Sequence, residues 1–100
     1  MILIRDVFQL EFGKSKEAVA AWKEGLAMFE KAGMKAGSTR LLTDLVGNYY
    51  TLVFEAEFES LTAWEDMMKT HMGKQEWKDW HAKVLQYNRG GHREIFNIVP

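Results

Sequence analysis

The chain has 100 residues, of which 47% are hydrophobic, so residues 1–100 are predicted to form a single domain with its own core. Its 13 basic and 14 acidic residues give a net charge of −1, which argues against nucleic acid as a partner, and no run approaches the roughly 20 apolar residues of a membrane helix. Because cysteine is absent and the first residues do not resemble a signal peptide, we expect no disulfide or thiolate metal site and a cytoplasmic location.

Residues 2–12 alternate between two faces, which predicts a β-strand. The first face contains Ile2, Ile4, Phe8, Leu10 and Phe12, and the second contains Leu3, Arg5, Val7, Gln9 and Glu11. Asp6 is the exception, since it places a carboxyl group on the apolar face.

The next segment changes to helical spacing. Val19, Trp22, Leu26 and Phe29 recur at intervals of three and four, which predicts an amphipathic helix from Ser15 to about Lys31. Gly33 and Gly37 are stop signals for this helix. Gly25 lies inside it, and its expected use is a close approach between the helix and the sheet.

Two further strands are predicted in "STRLLTDLV" and "YYTLVFEAEF". Gly47-Asn48 lies between them and favours a two-residue hairpin. The second strand is the clearer one, because its large apolar residues alternate with polar ones. Its apolar face contains Tyr50, Leu52, Phe54, Ala56 and Phe58.

A second helical region follows Ser60, a good N-cap, with Thr62 and Glu65 as an alternative capping box. Gly73-Lys74 is expected to break or bend this region. Residues 88–91, "NRGG", are expected to end it, and "HREIFNIV" is predicted as a short final strand.

The order β-α-β-β-α-β predicts an α+β, ferredoxin-like fold with one four-stranded antiparallel sheet and two helices on one face. The uncovered face would be half apolar, with Leu3, Val7, Tyr49 and Val53 among charged residues. Such a face favours a homodimer in which two sheets pack together. The alternative is a monomer with ordinary exposed apolar atoms.

A strand ending in "FEAEFESLTAW", followed by a helix and "EWKDWHAKV", resembles the dimeric α+β barrel superfamily, in both its NIPSNAP-like and its antibiotic-biosynthesis-monooxygenase-like (ABM-like) branches. The resemblance implies two sheets that meet in a barrel. It also implies a cavity in each protomer, between the second helical region and the sheet.

The candidate site residues lie mainly in that helical region. Trp64, Trp77 and Trp80 have the spacing of a helix face, which is typical of a core and is also compatible with a pocket wall. The predicted ligand-binding residues are Phe8, Trp64, Met68, His71, Trp77 and Trp80. Asp6 and His81 are the catalytic candidates, as groups able to move a proton. The alternatives are that Asp6 forms an ion pair with Arg5, Arg93 or His92, and that His81 is hydrogen-bonded to backbone.

No metal site is expected, because His71 and His81 would lie about 15 Å apart along a straight helix. No cofactor is expected either, with haem as the alternative. One sub-branch of the superfamily degrades haem with an Asn on the first strand, a Trp and a His. Trp64 and His81 match the last two positions, but Val7 occupies the Asn position.

The sequence therefore favours binding of a small apolar or aromatic molecule in a helix–sheet cavity. The resemblance offers an enzyme as the alternative, either a cofactor-independent monooxygenase or a haem-degrading oxygenase. A third possibility is a structural module whose aromatic residues only fill a core.

Overall fold

The computed structural model describes residues 1–33 and 38–100. Its four strands are β1 (Ile2–Leu10), β2 (Thr39–Thr43), β3 (Thr51–Phe58) and β4 (Asn88–Asn97). Its helices are α1 (Ser15–Lys31), α2 (Leu61–His71) and α3 (Gln75–Leu85). None of the helices in these two ranges is long and apolar enough to cross a membrane.

The strands form one antiparallel sheet in the order β2-β3-β1-β4. Side chains from all three helices meet the same face of this sheet. The predicted α+β, ferredoxin-like fold is thus confirmed. The number of helices differs, because the second helical region is two helices separated by residues 72–74. There Lys74 N donates to His71 O over 3.1 Å.

The core lies between α1, α3 and the two central strands. The Trp22 ring stacks on Phe54 at 5.0 Å and meets Trp80 edge-on at 5.0 Å. Trp80 Nε1 donates to Ala21 O over 2.8 Å, so this indole joins α3 to α1. Gly25 makes that contact possible, because a Cβ at this position would overlap the Trp80 ring. The close approach predicted for Gly25 is therefore between two helices, and not between helix and sheet.

Several predicted bounds were wrong because local hydrogen bonds end or extend the elements. Strand β1 ends at Leu10, one residue before a last hydrogen bond from Glu11 N to Tyr87 O, and Phe12 is 64% exposed. The β2–β3 turn is not a two-residue hairpin at Gly47-Asn48. It spans residues 44–50, and Asp44 Oδ1 accepts from Thr51 N over 2.9 Å.

The ends of the helices agree better with the sequence. Ser60 caps α2, since its Oγ accepts from Ala63 N over 3.1 Å, as predicted. Helix α1 ends at Lys31, and Gly33 follows with a φ of 99°. Gly37, the second predicted stop signal, lies outside the described residues.

Strand β4 begins earlier than predicted, at Asn88, and includes residues 88–91, which were expected only to end the helix. Gly91 pairs with Phe8, and a Cβ there would come within 2.5 Å of Val7 O. This strand therefore needs glycine at the position where the sequence suggested a helix stop.

Candidate functional site

A cavity of about 450 Å³ lies between the sheet and the helices. Its floor is formed by the helix-facing side chains of β1, β3 and β4, and α2 and α3 form most of its walls. Most of its lining is apolar, and much of that is aromatic or methionine. The volume is within the roughly 300–1,000 Å³ of known small-molecule sites, which are also mostly apolar.

The cavity brings together most of the predicted site residues. The lining includes Asp6, Phe8, Trp64, Met68, Trp77, Trp80 and His81. His81 is exposed, which places it where the cavity opens to solvent.

His71 does not line this cavity. Because α2 ends at His71 and the chain turns before α3, its side chain borders a separate pocket of about 100 Å³ beside Lys74 and Glu76. The structure therefore places His71 apart from the other predicted site residues.

Asp6 is the buried acidic residue of the cavity floor. It is 8% exposed, and its Oδ1 lies 2.6 Å from Nε of Arg93, the residue that it faces across the β1–β4 pairing. The guanidinium of Arg93 also lies 5.0 Å from the centroid of the Trp64 ring. Burial of an unpaired carboxylate is costly, so this ion pair is what allows Asp6 to remain on an apolar face. Of the three partners considered for Asp6, Arg93 is the one observed.

Two buried polar atoms beside the cavity have no hydrogen-bond partner among the described residues. These are Nε1 of Trp22 and Oδ1 of Asn88, and both residues line the cavity. Buried polar groups in proteins are nearly always paired, and a buried indole N–H usually finds an acceptor. Trp80, beside Trp22, follows that rule through its bond to Ala21.

Sequence reasoning did not assign Trp22, Asn88 or Arg93 to the site. Trp22 was placed only on the core face of a helix, and Asn88 was interpreted as a helix stop. Arg93 was named only as a possible partner of Asp6. The alternation of side chains along β4 could have predicted that Arg93 faces the cavity, but only once the pairing of β4 with β1 is known.

Ion pairs raise the pKa of two basic groups outside the cavity. A hydrogen bond to Glu94, with a further one to Glu55, raises the pKa of Arg5 on the opposite face of the sheet. A hydrogen bond to Glu24 raises the pKa of Lys83, where α3 meets α1.

The residues present do not fit the haem-degrading arrangement. The Asn position of that arrangement is Val7, and Val7 lies on the opposite face, beside Gln9 and His92. Asp6 is the residue of β1 that faces the cavity with Trp64 and His81. Within residues 1–33 and 38–100, no three His, Asp or Glu side chains are grouped so that they could hold a metal ion.

No protein-family model and no curated protein matches the chain. Its fold is nevertheless found in several solved structures. An uncharacterised NIPSNAP domain protein from Burkholderia xenovorans is 15% identical, with a TM-score of 0.81 over 100% of this chain and 94% of that one. A NIPSNAP family protein from Agrobacterium tumefaciens is 15% identical, with a TM-score of 0.85 over 98% of this chain and 85% of that one.

A cofactor-independent oxygenase from Streptomyces nogalater is 11% identical, with a TM-score of 0.75 over 99% of this chain and 93% of that one. At these identities the comparison concerns the fold. The chain therefore has the ferredoxin-like fold that NIPSNAP and antibiotic biosynthesis monooxygenase-like structures share, as the sequence resemblance predicted.

Proposed function

We propose that this domain binds a small, largely apolar or aromatic molecule in the cavity between the sheet and helices α2 and α3. The observation that carries the proposal is the cavity itself, about 450 Å³ with aromatic walls and a few polar side chains. A domain that used its aromatic residues only as core would be expected to close such a space, because interiors are packed nearly as densely as organic crystals.

The test is a titration with a bicyclic hydrocarbon such as tetralin, followed by calorimetry and by Trp fluorescence. We expect saturable binding, which Met68→Glu weakens by about tenfold or more because it places a charge on an apolar wall. Leu61→Glu is the matched control, since Leu61 lies on the same helix and does not line the cavity. Absence of saturable binding, or equal losses in the two variants, would contradict the proposal.

A second candidate function is a cofactor-independent monooxygenase-like oxidoreductase. It is supported by the buried Asp6 carboxylate in an apolar cavity, with His81 at the opening, and by the likeness of the fold to a cofactor-independent oxygenase. A carboxylate or an imidazole in such a place can accept a proton from a bound phenol, which is a general-base role.

Oxygen consumption separates the two functions. A catalytic domain would consume oxygen with a quinol or anthrone substrate, and His81→Ala or Asp6→Asn would lower the rate without loss of fold. Binding of the same compounds without oxygen uptake would leave the binding function and reject the enzyme.

We propose further that the domain is a homodimer joined through the uncovered face of the sheet. On that face Leu42 is 38% exposed and Phe96 is 47% exposed, and at its end Leu45 and Val46 are 97% and 95% exposed. Large apolar side chains with so much exposure on both edge strands of one face support a surface that a partner covers.

Several charges on this face support the same proposal, because they are already paired within the chain. Glu55 is 6% exposed and accepts hydrogen bonds from Arg5 and Arg40. A face whose charges are neutralised in this way loses less solvation when a second sheet covers it. Light scattering should give a mass of twice 11.6 kDa at micromolar concentration, and a mass of 11.6 kDa would reject the dimer.

A further inference from the structure

The unpaired atoms of Trp22 and Asn88 indicate which polar groups the ligand has, whereas the apolar walls of the cavity do not. Both atoms are buried, and neither has a partner among the described residues. Trp22 itself is 4% exposed, so its indole N–H has little access to bulk water. Leaving such a group buried and unpaired is unfavourable, so a molecule that supplies the missing partner gains affinity.

The two atoms require opposite hydrogen-bonding groups on the ligand, an acceptor and a donor. The indole Nε1 of Trp22 is a donor only, so it requires an acceptor oxygen on the ligand. The Oδ1 of Asn88 is an acceptor, so it requires a ligand hydroxyl or N–H group.

The sheet register separates Asn88 from the Asp6–Arg93 ion pair. Asn88 pairs with Leu10, whereas Arg93 pairs with Asp6. Asp6 and Leu10 are four positions apart on β1, which is about 13 Å at the rise of a β-strand. Phe8 lies between them, and its ring centroid is 5.5 Å from that of Trp22. The charges of Asp6 and Arg93 are paired with each other, whereas Trp22 Nε1 and Asn88 Oδ1 have no partner among the described residues.

We infer that the ligand is an apolar ring compound with both a carbonyl-type oxygen and a hydroxyl group, which Trp22 and Asn88 bind in the cavity. This inference rests on the proposed binding function and specifies the chemistry of the molecule bound. Neither residue belongs to the set that the sequence predicted for the site.

The experiment compares 6-hydroxy-1-tetralone, which has both groups, with tetralin, which has neither. A net intramolecular hydrogen bond contributes roughly 1 kcal/mol, so each satisfied atom should improve affinity about fivefold. We expect the hydroxyketone to bind more tightly than the hydrocarbon. Trp22→Phe and Asn88→Leu should each reduce the ratio of the two affinities about fivefold.

Indole NMR provides a second measurement that needs no variant to fold. The chain has four Trp residues, and therefore four indole ¹⁵N–¹H signals. Saturation with the hydroxyketone should move the Trp22 proton downfield, as a new hydrogen bond does, and tetralin should not produce this shift. The Trp80 signal is the internal control, because its N–H already donates to Ala21 O.

The outcomes separate the two proposals. If tetralin and the hydroxyketone bind equally and the Trp22 signal responds alike to both, the inference is overturned while the binding function stands. If neither compound binds, both are overturned.

Discussion

The Asp6–Arg93 ion pair shows how one cavity residue is kept charged on an apolar face. Asp6 is 8% exposed, whereas 43% of the Arg93 side chain is exposed. Removing Arg93 should therefore destabilise the fold more than removing Asp6, because only the carboxylate would be left buried without a partner.

We expect Arg93→Leu to lower the free energy of unfolding by about 2 kcal/mol, less than the roughly 3–5 kcal/mol of a fully buried pair because water reaches Arg93. Asp6→Asn should cost under about 1 kcal/mol, since it leaves no buried charge. Urea denaturation measures both changes. Arg89→Leu, an exposed arginine on the same strand, is the control and should be nearly neutral. Equal losses in the Arg93 and Arg89 variants would show that the ion pair does not stabilise the fold.

A substitution at Gly25 tests the contact between α1 and α3. Gly25→Ala gains about 1 kcal/mol of helix propensity but forces a methyl group into the Trp80 ring, and such overpacking costs typically 1–3 kcal/mol. We expect a net loss of stability of about 1 kcal/mol, together with a change in Trp fluorescence, since Trp80 must move. Gly73→Ala is the matched control, because its added methyl group meets no atom within 4 Å. A Gly25 variant as stable as the Gly73 variant would contradict the close approach.

At the scale of elements, α2 is the most loosely held wall of the cavity. None of its residues is buried, whereas α1 and α3 both contribute buried tryptophans to the core. Helices of about 11 residues are marginal alone, so caps and packing decide whether they persist. Local opening should therefore occur most readily in α2, where a ligand could enter.

The Ser60 cap should control that opening. Ser60→Ala removes the hydrogen bond to Ala63 N, which is worth about 1 kcal/mol, so amide exchange in α2 should accelerate about fivefold. NMR measures the rate of amide exchange at each residue of α2. Thr62→Ala is the control within the same turn, because α2 begins at Leu61 and Thr62 is not its cap. Unchanged exchange in the Ser60 variant would show that the cap does not hold this wall.

The pair between Lys83 and Glu24 connects α3 to α1 at the surface, with Nζ 2.9 Å from Oε2. The hydrogen bond raises the pKa of Lys83 above 10.5, so the charged form is favoured by folding. This contribution is complete below the unfolded pKa and is lost as pH rises through the higher folded value. Titration by NMR should show that Glu24→Gln lowers the Lys83 pKa, and an unchanged pKa would show that this pair does not perturb Lys83.

The elements differ in how well the sequence predicted them. Both helical regions and the central strands could be predicted because their spacing reflects one buried face, as with Trp22 and Phe29 on α1. The exact ends of the elements could not be predicted, since particular hydrogen bonds set them. Examples are the bonds from Glu11 to Tyr87 and from Thr51 to Asp44. The aromatic wall of the site could be predicted from the helical spacing of its residues. The roles of Arg93 and Asn88 depend on strand register, which alternation within one strand does not specify.

At the scale of the whole molecule, the two faces of the sheet have different tasks. One face, with its helices, surrounds a cavity, while the other combines paired charges with exposed apolar side chains. A homodimer would cover the second face without contact with the first. Binding and association should therefore be separable by mutation.

Leu42→Glu tests that separation, since Leu42 lies opposite Val53 on the uncovered face. A new carboxylate there would stand beside its copy in a face-to-face dimer, and its burial without a partner would be costly. We expect the dissociation constant of the dimer to rise at least tenfold, measured by sedimentation, with little change in the affinity for tetralin. Leu61→Glu introduces the same charge at a residue 46% exposed, against 38% for Leu42, and it should leave the dimer intact. If both variants remain dimeric, the partner does not cover Leu42, because a buried interface would not accept an unpaired carboxylate.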